Sequence, residues 1–261
     1  MSVKTIESGI VADAYVELLV DRGIEFLFAN AGTDFAPLIE SLAKFEAQGR
    51  QTPKPIIVPH ENVAIHMALG HYLQSGRPQL VMVHVNVGTA NAMCGLINAW
   101  RGNLPVIFTS GRTPYSEEGG VSGGRSGEIH WPQEMRDQAA MVREVVKWDY
   151  EVRNAETIEA AVDRAINLAM SEPKGPVYLS LPREVLAAPL SNWSYSSPSR
   201  RRAASPPYPD LNAIDEAADM IAKAENPLII TASCGRDRED PAHLAALADL
   251  FAIPVTPRKP R

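Results

Sequence analysis

The sequence is short of the features that would assign it quickly. Only two of its 261 residues are cysteine, Cys94 and Cys234. They lie far apart and neither belongs to a CxxC pair, which argues against structural zinc and against a disulfide framework. Cys94 falls in an apolar helical pattern and reads as a small core residue. No apolar run approaches the ~18 residues of a membrane span. The N-terminus, MSVKTIESG, lacks a signal-peptide core, so a cytoplasmic location is expected. A basic excess is also missing. With 25 Lys and Arg against 31 Asp and Glu the formal net charge is −6, which argues mildly against a nucleic-acid partner. There is no GxGxxG after a strand and no GxxxxGK[ST], so a dinucleotide dehydrogenase and a P-loop enzyme are both disfavoured.

What is present is alternation. GIVADAYVELLVDRG (8–22) has helical spacing and ends at Gly23. EFLFAN is a short apolar strand. Ala31-Gly32-Thr33 is a turn, and Asp34 stands where it could cap the helix FAPLIESLAKFE. PIIVP, QLVMVHV, LPVIFTSG and PVYLSLP are further strand-like runs, separated by helical patterns that include GTANAMCGLINAWRG and residues 156–171. Near-continuously apolar strands alternating with helices predict a parallel α/β sheet with helices on both faces. Two stretches break the rhythm. Residues 111–137 form a long Gly/Ser-rich loop, of the kind that is usually functional or disordered. Residues 189–210 have the composition of a linker, and their run Arg200-Arg201-Arg202 reads as solvated. The division expected is therefore a first domain at 1–188, a linker at 189–210, and an incomplete second α/β domain at 211–261.

Several motifs have bland readings that outweigh the functional ones. His60-Glu61 and His66 look superficially like HExxH, but the histidine spacings are six (60 to 66) and five (66 to 71), so no two share a helix face. Gly120-Val121-Ser122-Gly123-Gly124 satisfies GxSxG without the strand–turn–helix setting of a nucleophile elbow. Val87 to Asn91 lies where a strand turns into a helix, where free N–H groups could meet a ligand. In an open parallel sheet ligands bind beyond the carboxyl ends of the strands. Three segments converge on that edge: Ala31-Gly32-Thr33, His60-Glu61, and His84 to Asn91. Taken alone, Glu61 could serve only as a partner for the helix dipole, worth ~0.3–1 kcal/mol.

Together these segments resemble the pyrimidine-binding domain of thiamine-diphosphate-dependent enzymes of the acetolactate synthase and benzoylformate decarboxylase group. The resemblance covers residues from about 5 to 188, and residues 211–261 resemble the start of that family's middle domain. It rests on His60-Glu61 followed nine residues on by Gly70 and then Ser75-Gly76. It rests also on HVNVGTANAMCGLINAWRGNLPVIFTSGR, VVKWDYEV and GPVYLSLPREV. The resemblance implies that Glu61 hydrogen-bonds the ring N1′ of the cofactor's aminopyrimidine and so activates it. Burial beside the cofactor and the helix N-terminus pull the acidity of such a carboxylate in opposite directions. Gly32 matches a glycine that packs near the pyrimidine. Thr33 matches a serine that contacts substrate, and His84 an active-site histidine suited to proton transfer. Asn91 and Gln133 sit near positions that approach the cofactor in synthases.

The sequence also departs from the family. Where synthases carry Gly-Pro-Gly-Ala-Thr-Asn, this chain runs from Asn86 to Asn91, and Arg112 stands where a glutamine is common. These differences weigh against acetolactate synthesis in particular. The GDG…N domain that holds Mg²⁺ and the diphosphate is not in the sequence. The expectation is half an active site, weakly binding and inactive alone, that needs self-association or a chain carrying the diphosphate-binding domain. The substrate implied is a small 2-oxo acid, and FAD, where relatives use it, would lie on the middle domain. A non-catalytic α/β partner that keeps only the fold and a dimer surface is the alternative.

Overall fold

A computed structural model of the chain describes residues 2–117 and 120–258. The chain divides into two compact units, the first ending at Pro206 and the second beginning at Pro207. The first unit runs β1 (Ser2–Ile10), α1 (Val11–Asp21), β2 (Phe26–Asn30), α2 (Ala36–Ala47), β3 (Lys54–Ile57), α3 (Glu61–Ser75), β4 (Leu80–Val83), α4 (Val85–Asn91), α5 (Met93–Gly102), β5 (Ile107–Arg112), β6 (Asp149–Glu151), α6 (Ile158–Met170), β7 (Val177–Pro182), α7 (Arg183–Ala187) and β8 (Pro189–Ser197). The second holds α8 (Leu211–Lys223), β9 (Ile229–Thr231), α9 (Asp240–Phe251) and β10 (Val255–Pro257). Among the described residues no helix is long and apolar enough to cross a membrane.

Six strands form one sheet in the order β3-β2-β4-β5-β7-β6, and every pairing is parallel. This is the α/β architecture expected from the apolar runs. Side chains alternate between the two faces of a strand, and the central strands show it. Leu80 and Met82 of β4 join one buried cluster with α1, α2 and α6, while Val81 and Val83 join another with α3 and α5. In β7, Val177, Leu179 and Leu181 face the first cluster and Tyr178 the second. Covering both faces is what a parallel sheet requires, and each fully buried aliphatic or Phe side chain contributes about 1.5–3 kcal/mol.

Three details differ from the reading of the sequence. Pro189–Ser197, placed in the linker, is strand β8, and it pairs antiparallel with β1, Ser2 opposite Ser197 and Ile10 opposite Pro189. The residues before Val11, read as part of a helix, belong to β1. The helix expected over 88–102 is broken at Ala92 into α4 and α5. The break resets the helical phase, so Leu96 and Ala99 point inward while Cys94, expected in the core, is exposed.

The long loop after β5 is held down by buried or half-buried polar groups. Gln138 donates to Ser110 Oγ at 2.7 Å and to the Gly111 carbonyl at 2.9 Å. Arg112 donates to the Met135 carbonyl at 2.8 Å, and Arg125 to the Pro114 carbonyl at 2.8 Å. Gly120 and Gly123 adopt positive φ, +106° and +80°, which a side chain would oppose. Ser122 between them is exposed and follows no strand, so the GxSxG match serves turn geometry.

Candidate active site

The carboxyl ends of β2, β3, β4, β5 and β7 deliver one cluster of polar side chains. Glu61 is the first residue of α3, only 7% exposed, and His60 caps the helix by accepting from the Asn62 N–H at 3.1 Å. Capping by His60 relieves Glu61 of that duty. Its Oε2 accepts from Asn91 Nδ2 at 3.2 Å, across from the end of α4. Its Oε1 faces Gly88, where an added Cβ would lie 3.3 Å from that oxygen and 2.8 Å from the Val83 side chain. A glycine is therefore needed at 88 to leave space beside the carboxylate.

His84 follows β4 and stands at the N-cap position of α4. Its Nδ1 lies 2.6 Å from Asp34 Oδ1, and its Nε2 lies 3.1 Å from Gln133 Nε2. The hydrogen bond to Asp34 raises its pKa above the ordinary histidine value of 6.5, against the opposing effect of burial. Asp34 is 2% exposed. It does not cap α2, whose N-cap is Phe35 with no side-chain bond. Asp34 instead lies in a 3-10 turn, and its carboxylate turns toward β4 and accepts from the Val85 N–H at 3.2 Å as well. That donor of the seven-residue helix α4 is thus already taken. Gly32 packs so closely on His84 that a Cβ would fall within the imidazole.

A second histidine, His130, is 2% exposed and approaches from the loop. Its Nδ1 accepts from the Ser126 N–H at 3.3 Å, which leaves the proton on Nε2, 3.5 Å from Thr33 Oγ1. Burial first, then the Arg183 and Arg125 charges, hold its pKa below the ordinary value. Arg183, first residue of α7, donates to the carbonyls of Thr33 (3.2 Å), Gly123 (2.7 Å) and Gly124, so it ties the loop to the turn after β2.

The site residues expected from the resemblance, Gly32, Thr33, Glu61, His84, Asn91 and Gln133, thus lie at the same sheet edge. Asn91 touches Glu61; Gln133 and Gly32 touch His84; Thr33 touches His130. Asp34, His130 and Arg183 were not expected there. The nearest signal was the adjacency of Asp34 to Thr33 and the isolation of His130 in a glycine-rich loop. The remaining histidines do not converge. His66 bonds the Asn62 carbonyl (2.7 Å) and Asn98 (3.1 Å), His71 bonds Ser75, and among the described residues no group of three or more His, Cys, Asp or Glu could hold a metal.

Comparison with known proteins gives a consistent result. The family described as "Thiamine pyrophosphate enzyme, N-terminal TPP binding domain" matches residues 10–141. Benzoylformate decarboxylase of Pseudomonas aeruginosa is 28% identical over 221 residues, 84% of this chain and 38% of that protein. Acetolactate synthase of Arthrospira platensis is 28% identical over 247 residues, 94% of this chain and 41% of that protein. The chain therefore spans about two fifths of the length of these relatives. In fold it is similar to a solved thiamine diphosphate-dependent 4-hydroxybenzoylformate decarboxylase of Rhodococcus jostii RHA1. The TM-score is 0.77 at 24% identity, over 95% of this chain and 44% of that one.

Proposed function

Because the chain belongs to the thiamine pyrophosphate enzyme family through its N-terminal TPP binding domain, we propose that it forms the pyrimidine-binding side of a 2-oxo-acid decarboxylase or an acetolactate-synthase-like carboligase. Glu61 is the residue that activates the cofactor in this reading. The observation that carries it is the setting of Glu61: a buried carboxylate at the carboxyl edge of a parallel sheet, one oxygen held by Asn91 and the other facing Gly88.

The residues present fit the cofactor. Gly88 leaves room beside the Glu61 carboxylate, Gly32 leaves room for the His84 ring, and the buried Oδ1 of Asn86 and Oε1 of Gln133 have no partner among the described residues. When bound, thiamine diphosphate supplies a centre that stabilises carbanions. Glu61 would hold the pyrimidine ring nitrogen, Asn91 would fix the carboxylate's orientation, Gly88 would let the ring approach, and Gly32 would seat His84 beside it. Thr33 and His84 would meet a small 2-oxo acid, with His84 Nε2 moving a proton to or from it. Gln133 would act through His84.

The diphosphate and Mg²⁺ are assigned to residues outside this sequence, in a partner chain or a further domain. The reading does not call on FAD. Support for association comes from α3, which is apolar on both sides. It buries Ala64, Ile65, Ala68 and Leu69 while Val63, Met67 and Leu73 stay exposed, and Val87 and Ile97 are exposed on α4 and α5. Exposed apolar side chains grouped on neighbouring helices mark an interaction surface, which fits self-association or a chain that brings the diphosphate-binding domain.

Calorimetry with thiamine diphosphate and Mg²⁺ tests the proposal. The chain alone should bind weakly, and a mixture with a protein carrying the diphosphate-binding domain should bind and turn over. Glu61→Gln should then lower turnover by about 10²–10³-fold, the usual cost of removing one preorganised electrostatic group. Absence of binding in both arrangements would overturn the reading in favour of a fold-only partner. Robust decarboxylation by the 261-residue chain alone would overturn the half-site assignment.

A further inference from the structure

We propose that Asp34 is a positioning residue for His84: it keeps the ring protonated at Nδ1 and leaves Nε2 as the one atom through which His84 exchanges a proton. The role deepens the proposed function, since it rests on His84 as the proton-transfer group, but its geometry stands separately.

Both Asp34 oxygens are engaged on the same short segment. Oδ1 faces His84 Nδ1 at 2.6 Å and Oδ2 accepts the Val85 N–H at 3.2 Å. Val85 has φ +32°, a conformation that a β-branched residue rarely adopts. The carboxylate therefore holds the residue after His84 in a strained turn as well as holding the ring. Such strain persists only where the surroundings over-determine it.

Two glycines make room for this pair. Gly111 lies on the central strand β5, and a Cβ there would overlap the Asp34 carboxylate; a Cβ on Gly32 would overlap the His84 ring. Glycine weakens a strand interior and often marks a close approach. Here the approaching group is a carboxylate 2% exposed.

The other ring nitrogen completes the assignment. Gln133 Nε2 carries only hydrogens to donate, so at 3.1 Å it requires a lone pair on His84 Nε2. The neutral ring then has its proton on Nδ1, against Asp34. When the ring is charged, Nε2 becomes a donor, and the Gln133 amide, turned about its last bond, offers Oε1. That oxygen is buried and has no partner among the described residues. Proton release breaks the Nε2–H bond and leaves its electron pair on Nε2; solvent later returns the proton. The other titratable groups acting on His84 are Glu61 and His130, and the Asp34 bond is the largest influence, raising its proton affinity.

The test is nitrogen-15 NMR of the histidine rings in the full chain across pH, with His84→Gln to assign the signal. In the unaltered chain the neutral His84 ring should be in the Nδ1–H form with a midpoint above that of a free histidine. Asp34→Asn should shift the midpoint down and mix the tautomers, and Gly111→Ala, which displaces the carboxylate, should do the same. In a reconstituted enzyme, Asp34→Asn should lower turnover by up to about 10²-fold, the lower range of a positioned general acid. A neutral ring in the Nε2–H form, or a midpoint unmoved in Asp34→Asn, would overturn the proposal. If Asp34→Asn fails to fold, the tautomer of the unaltered chain still decides. Cofactor binding is measured on the same samples. Lost binding with the Nδ1–H tautomer intact counts against the proposed function alone, and retained binding with the wrong tautomer counts against the Asp34 role alone.

Discussion

The two units of the chain are written in the same α/β pattern but differ in what they bury. The first encloses two clusters, one on each face of its six-stranded sheet, with Tyr15, Phe108 and Tyr178 fully buried. In the second, α8 and α9 have no buried residue, and among residues 207–258 only Ile253 is buried. Leu211, Ile214 and Met220 on α8, Leu228 before β9 and Ile230 within it, and Leu250 and Phe251 on α9 are all exposed. A parallel sheet gains stability only when several strands are covered on both faces, and β9 and β10 offer two strands of three residues each.

This contrast can be broken most sharply by removing apolar bulk. Phe108→Ala, at the centre of the sheet, should destabilise the chain by about 3–5 kcal/mol in urea unfolding. Ile230→Ala should change it by less than about 0.5 kcal/mol. Equal losses would mean that the second unit has a core after all. Within the first unit, overpacking should cost less than a cavity. Gly32→Ala drives a methyl into His84 and should lose about 1–3 kcal/mol, read from the same unfolding curve; no change would show that the imidazole is free to move. The third effect is in pH. His84 has a folded pKa raised above its unfolded value, so its stabilising contribution is fully present below pH 6.5 and is lost as pH rises through the folded value. His130 is depressed, so it opposes folding as pH falls from 6.5 toward its folded value. Thermal melts of the unaltered chain and Asp34→Asn should diverge most below pH 6.5 and converge above; a constant gap would remove the linkage. The smallest free energies should appear in amide exchange. Amides of α8 and α9 should open locally at little cost, while those of β4 require opening close to global unfolding. Matching protection in α8 and β4 would erase the comparison.

The first unit's sheet was legible because buried parallel strands leave continuous apolar runs such as LVMV and VYLSLP. The strand pair β1–β8 was not. Its residues are half polar, and each strand's partner lies nearly the whole unit away in sequence, so neither composition nor local period marks them. Glu61 and His84 could be named because their segments resemble a known family. Asp34 was misread for a definite reason: an acid just before a helix is the pattern of a cap, and only the fold shows that the carboxylate turns toward β4. His130 and Arg183 depend on how the long loop is pinned, through carbonyls that a sequence does not mark.

The clasp of β1 on β8 has a consequence for the chain's connectivity. Ser2 sits opposite Ser197, so the outer ends of the β1–β8 pair are neighbours. That unit is closed on itself in space though open in sequence. Joining those ends by a short linker and cutting at an exposed turn elsewhere, such as the one at Gly49 with φ +66°, would keep every pairing of the six-stranded sheet. The order in which its strands are synthesised is thus separable from the order in which they lie.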